Sequence, residues 1–188
     1  MSSTHESHLL KTAFELAHAM HKAADDNLPD QLAGIVKLHA GIAVASALIP
    51  IPGADIAAAA ANIWTMYIRI NKELDLPFGE NVIKSIGAGI ATNIASAGAG
   101  FLIVGTALKF VPGLGSLGGA AVMGATIYGL TIVSGIIYMK ALTKLLHGKN
   151  VYEISEADLK YAAAAEMANK SDLKEMLRSA KGEYRPAS

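Results

Sequence analysis

Cysteine is absent from the 188 residues, so neither a disulfide-stapled scaffold nor a thiolate metal site can be built. Charge of either sign is scarce as well. Lys and Arg number 16 and Asp and Glu 16, only 17% of the chain, and their balance leaves no electrostatic footprint for a polyanion. Nucleic acid is therefore not an expected partner. Aromatic residues make up 6% against 52% hydrophobic residues overall, so the apolar content rests on Ala, Gly, Ile, Val and Leu. The length suits one domain.

The missing charge is missing from one place. Residues 1–37 carry three basic and five acidic side chains, 38–139 four of each, and 140–188 nine basic and seven acidic. Within 85–139, a stretch of 55 residues, Lys109 is the single charge. Such a stretch is apolar enough for a membrane. The N-terminus shows no basic segment followed by an apolar one, so no cleavable signal is expected, and the termini are expected to stay in the cytosol.

Periodicity and breaks predict an all-α chain in four parts: an amphipathic helix within 1–30, a first helical hairpin at 31–80, a second and strongly apolar hairpin at 81–149, and a charged helical tail at 150–188. In the first part Leu9, Leu10, Ala13, Phe14, Ala17, Met20, His21 and Ala24 recur at spacings of three and four. That face either packs on the rest of the protein or lies on a membrane surface. The first hairpin breaks at Pro50, Pro52 and Gly53, and Asp55 opens the next helix, where a carboxylate suits free N–H groups. The second breaks at Pro112, Gly113 and Gly115. In the tail, Ser155 with Asp158 three residues on predicts a helix N-terminus, the helix running through Ala168.

Length separates the hairpins. About 20 helical residues cross a hydrocarbon core of ~30 Å. Residues 117–139 supply 23 without charge, while 86–108 are as long but Gly/Ala-rich. In the first hairpin Lys37, His39 and Asp55 interrupt the runs, leaving its arms to span, re-enter or form a soluble core. Lys37, Arg69, Lys72, Lys84, Lys140 and Lys144 all lie at the open ends, which by the positive-inside tendency face the cytosol. Trp64 and Tyr67 before Arg69, and Tyr138 before Lys140, are read as interfacial anchors. Asp55 and Lys109 are the charges near the two tips; they either form a tip ion pair or line a polar passage, or each reaches headgroups or water with Asp55 capping its helix.

Glycine bears on packing, because 12 of the 18 lie between Gly87 and Gly135. Ala88, Thr92, Ser96 and Gly100 form one ridge of small residues, and Ala121, Ala125 and Gly129 another, of the kind that lets helices approach closely. A homo-oligomer packed through such faces is expected.

Enzyme signatures fail on inspection. Gly113, Gly115 and Gly118 spell G-x-G-x-x-G, but no strand precedes them and the next acidic residue is Glu153, so they are read as a hairpin tip. Gly148-Lys149 is followed by Asn150, which excludes a P-loop. His5 with His8, and His18 with His21, share helix faces without a fourth ligand and are read as solvated or packed pairs. No catalytic residue, cofactor or metal ion is expected.

The run Ile49-Pro50-Ile51-Pro52-Gly53-Ala54-Asp55, the Ala-rich helix with Met66 and Arg69, and Val111-Pro112-Gly113-Leu114-Gly115 with the Gly-rich helix after it resemble the YcjF-type family over roughly 33–146. These are bacterial hydrophobic helical domains of unknown function, often fused to or encoded beside small GTPases. The resemblance implies an inner-membrane-associated helical protein acting with a GTPase, which here would be a separate chain, and it transfers no catalytic residues. The expected function is a non-enzymatic, self-associating membrane protein. The alternatives are a pore-forming or membrane-perturbing effector that is soluble until triggered, and a soluble oligomeric scaffold with hairpins buried between subunits.

Overall fold

The computed structural model describes residues 2–47, 54–84, 86–87 and 117–168, and these are helical throughout apart from short connections. The elements are α1 (Ser2–Asn27), α2 (Asp30–Ala47), α3 (Ala54–Glu73), α4 (Leu117–Gly148) and α5 (Glu156–Ala168), with a 3-10 turn at Val151–Glu153. Residues 80–84 and 86–87 are helical too. The fold is all-α, as expected from the sequence. The Pro-Gly breaks at Pro50, Pro52, Gly53, Pro112, Gly113 and Gly115 lie outside the described residues, as do Lys109 and the ridge Ala88, Thr92, Ser96 and Gly100.

Local chemistry sets the helix ends. Pro29 has no N–H to lose and a fixed φ suited to a first turn, and its carbonyl accepts from Ala33 N at 2.8 Å to start α2. Asp75 takes a left-handed φ of 49° beyond α3, and Leu76 N reaches back to Asn71 O at 2.9 Å, a Schellman closure. At α5 the expected cap is present. Ser155 Oγ accepts from Asp158 N at 3.2 Å while Asp158 Oδ2 accepts from Ser155 N at 2.9 Å.

Helix directions follow from side-chain meetings. Val36 meets Gly135 and Val44 meets Gly124, so α2 and α4 are antiparallel. Tyr67 meets Ser134 and Asn71 meets Tyr138, so α3 and α4 run parallel. The tight Leu28-Pro29 corner reverses α1 against α2, and Met20 touches Gly129, which makes α1 parallel to α4. Lys144 with Glu166 and Lys149 with Asp158 lay α5 antiparallel on the end of α4.

The core is the space these helices enclose, filled by Met20, Leu32, Val36, Met66, Ile70, Ile132, Ile136, Leu142 and Leu159. The N-terminal helix takes the first of its two expected places. Ala13, Met20 and Ala24 of its apolar face are buried, with α4 as its most extensive contact, while Leu10 and Phe14 of the same face are exposed.

Candidate functional site: an uncharged end beneath a polar rim

Charge along the bundle is layered. Residues 38–47 of α2, 56–68 of α3 and 117–139 of α4 contain no Asp, Glu, Lys or Arg. The helix directions bring these stretches to the same end. Lys37 falls level with Gly135, Arg69 with about Ile136, and Lys140 one turn above, so the three cations mark a rim within about two helical turns. The uncharged run measures ~34 Å on α4 but only ~20 Å on α3, at about 1.5 Å per residue.

Helix α4 is long and apolar enough to cross a membrane over Ala120–Gly148, yet 59% of its most apolar window is buried inside the bundle. The core helix of a water-soluble bundle meets the same criterion. Among the described side chains from 121 to 142, none is exposed. On one side the cover is α1. Met20 sits opposite Gly129, so the Lys11–Glu15 pair, at 3.9 Å and about one and a half to two and a half turns closer to the N-terminus, flanks the first half of α4. Two contacts latch α1 in place: His21 Nδ1 lies 2.9 Å from the Tyr128 hydroxyl, and Lys37 Nζ donates to Asp25 Oδ1 at 2.5 Å. That ammonium holds the Asp25 carboxyl below its usual range.

Beneath the rim, polar side chains are paired inside the bundle. His39 Nδ1 lies 2.8 Å from Asn62 Oδ1, and Asn62 Nδ2 donates to the His39 carbonyl at 2.7 Å, clasping α2 to α3. Tyr67 and Tyr138 stack with centroids 4.1 Å apart. The Tyr67 hydroxyl lies 2.5 Å from Ser134 Oγ, and Asn71 Nδ2 donates both to the Tyr67 carbonyl, at 2.7 Å, and to the Tyr138 hydroxyl. In a medium without water such pairs satisfy each other, which removes the cost of burying them. His39 Nε2 and Asn71 Oδ1, both buried, have no hydrogen-bond partner among the described residues.

The residues singled out from sequence are distributed as follows. Tyr67 and Tyr138, expected as interfacial anchors, are fully buried against each other, because both turn into the α3–α4 contact. Trp64 is half-buried. A Cβ on Gly87 would lie 2.5 Å from its Cδ1, so the indole occupies the place of a side chain there. Arg69 is exposed and Lys140 half-buried. In the ridge on α4, Ala121 is half-buried and Ala125 and Gly129 are buried, and Gly129 receives Met20 of α1. Asp55 lies in the first turn of α3. His8, His18 and His21 are exposed, and among the described residues no group of three or more His, Asp or Glu could hold a metal ion.

The buried clasps were not foreseen from sequence. A signal existed for one of them: Tyr67 and Asn71 are four apart, as are Ser134 and Tyr138, the register that parallel helices need to form both pairs at once.

No protein-family model and no solved structure matches the chain. Over 100 residues it is 30% identical to magnetosome membrane protein 22 of Magnetospirillum gryphiswaldense, a match covering 51% of this chain and 51% of that protein. The chain thus matches about half the length of this curated relative.

Proposed function

We propose that this chain is a membrane-associated helical protein without catalytic activity, whose uncharged end enters a lipid bilayer while the charged rim and tail stay in water. The charge layering carries this reading. Three helices lose their charges at the same end, and the cations Lys37, Arg69 and Lys140 border it, as side chains at a headgroup boundary do. The similarity to a protein named for a magnetosome membrane supports it. The resemblance to the YcjF-type family adds a bacterial inner membrane and a GTPase partner on a separate chain, and the positive-inside tendency puts the rim and termini on the cytosolic side.

One observation favours a conditional form of insertion. A spanning α4 cannot keep Lys11 and Glu15 beside its first half, because ionised side chains are costly in hydrocarbon. In this reading the described bundle is the sheathed state, and α1 leaves α4 as the uncharged end enters lipid. This is the membrane-perturbing alternative of the sequence analysis given a moving part.

Alkaline carbonate extraction of membranes from cells producing the full chain tests the reading. Retention in the pellet is the expected result, and complete release to the supernatant would overturn insertion.

A further inference from the structure

We propose that Lys37 serves two anions in turn, Asp25 of α1 in the sheathed bundle and the headgroup phosphate of an anionic lipid at the membrane, so that headgroup binding and α1 docking compete for one ammonium. This exchange rests on the membrane reading above and names what releases α1.

Lys37 stands where both roles meet. It is the last charge of α2 before the uncharged run 38–47, the place of a side chain that reaches a headgroup. The Lys11–Glu15 and Lys22–Asp26 pairs close within α1, whereas Lys37–Asp25 crosses from α2 to α1. Asp25 also faces His21 Nε2 at 3.9 Å, and that ring touches Tyr128, so polar contacts of α1, α2 and α4 meet at one carboxylate.

The latch is built to yield. The Asp25 side chain is 45% exposed and that of Lys37 23%, so water screens the pair and its hold is modest. The apolar docking it reinforces is modest too: of the described side chains that α1 buries, Ala13, Ala19, Met20 and Ala24, all but Met20 are alanine and offer little area.

Charge sets the direction of the exchange. Residues 2–27 carry two lysines against four carboxylates. An anionic surface therefore repels α1 while it draws Lys37, and both forces pull on the same bond. Lys37 gives up one charge-assisted hydrogen bond and gains another, and Asp25 returns to water.

The absence of cysteine lets Met20→Cys, at a position 1% exposed, report the departure of α1 through alkylation by a water-soluble maleimide. In lipid-free buffer, adding Asp25→Asn or Lys37→Gln to this full-length reporter should speed alkylation by about threefold to fivefold, with the circular dichroism spectrum unchanged. Unchanged alkylation in both variants would overturn the latch. The two should then part in flotation with vesicles of phosphatidylglycerol and phosphatidylcholine, where Asp25→Asn, which frees Lys37, is expected to bind about fivefold better than Lys37→Gln. Glu156→Gln and Lys160→Gln make the same charge changes within α5, and the effect is read beyond the difference between them. On phosphatidylcholine alone, Asp25→Asn and Lys37→Gln should float equally. Equal flotation on the anionic vesicles, beyond that baseline, would overturn the headgroup contact alone, whereas no flotation of any variant would remove the membrane reading with it. Inorganic phosphate at matched ionic strength is expected to leave alkylation of the lipid-free reporter unchanged, and acceleration by it would overturn lipid as the source of the phosphate.

Discussion

His39 and Asn62 hold each other through both side chain and backbone: the imidazole Nδ1 meets Asn62 Oδ1 at 2.8 Å and the Asn62 amide donates to the His39 carbonyl at 2.7 Å. Both residues are buried, so removing one partner strands the other. Asn62→Ala is expected to destabilise the protein by about 1–3 kcal/mol in urea unfolding followed by circular dichroism. Replacing both residues by leucine should recover part of that loss, because both desolvation penalties disappear together. Additive losses in the cycle of His39→Leu, Asn62→Leu and the double variant would show that the pair is not coupled.

Close helix approach between α2 and α4 depends on Gly135. A Cβ there would lie 2.6 Å from Val36 Cγ2 and 2.8 Å from Cγ1, and both methyls are fixed in the core. Gly135→Ala is therefore expected to cost about 1–3 kcal/mol by overpacking, despite alanine's better helix propensity. Val36→Ala in the same chain should relieve the clash, leaving the double variant more stable than the sum of the single losses predicts. Thermal unfolding of the four proteins measures this, and a neutral Gly135→Ala would mean that the helices part without cost.

The sequence revealed helices, caps and charge layering because each is written in neighbouring residues. Ser155 and Asp158 are three apart and found each other, and Leu28-Pro29 forms the corner between α1 and α2. Tyr67 and Tyr138 show where local reading stops. An aromatic residue just before a cation marks a membrane interface, and equally a buried ring beneath a charged rim. The choice depends on which face α3 turns to α4, a contact between residues 67 positions apart. The same holds for His39, which reads as an interruption of an apolar run until Asn62 appears beside it. The small-residue ridge on α4 was recognisable, but its neighbour Met20 comes from the N-terminal helix, more than 100 positions away.

Acid should loosen the two ends of the polar layer. Lys149 donates to Asp158 at 2.6 Å and Ser155 adds two hydrogen bonds, so the Asp158 carboxyl is held well below its usual range; Lys37 does the same, less strongly, for Asp25. Both folded-state values lie below the unfolded one. The stabilisation is thus fully present above the ordinary aspartate range and is lost as pH falls below about 4 towards the folded value. Amide protection at the start of α5, followed by NMR, is expected to fall over that window, and Asp158→Asn should flatten the dependence. Protection unchanged down to about pH 2 would show that the cap contributes nothing.

The sheath formed by α1 can be locked chemically. A Cβ on Gly129 lies 4.0 Å from Met20 Cβ, within the ~3.5–4.5 Å that disulfides span, and the bridging sulfurs would take the space now held by Met20 Cγ and Sδ. With no native cysteine, the Met20→Cys/Gly129→Cys variant can form only this bond within one chain. If α1 must leave α4 for the uncharged end to enter lipid, the oxidised variant should stay at the bottom of a flotation gradient with anionic vesicles. The same protein after reduction should rise with them. Because the two samples differ only in the bond, loss of the methionine side chain is common to both and cannot produce the difference. Equal flotation of oxidised and reduced protein would mean that α1 remains docked at the membrane, with Lys11 and Glu15 held at the surface, and the insertion geometry would then have to be a shallow one.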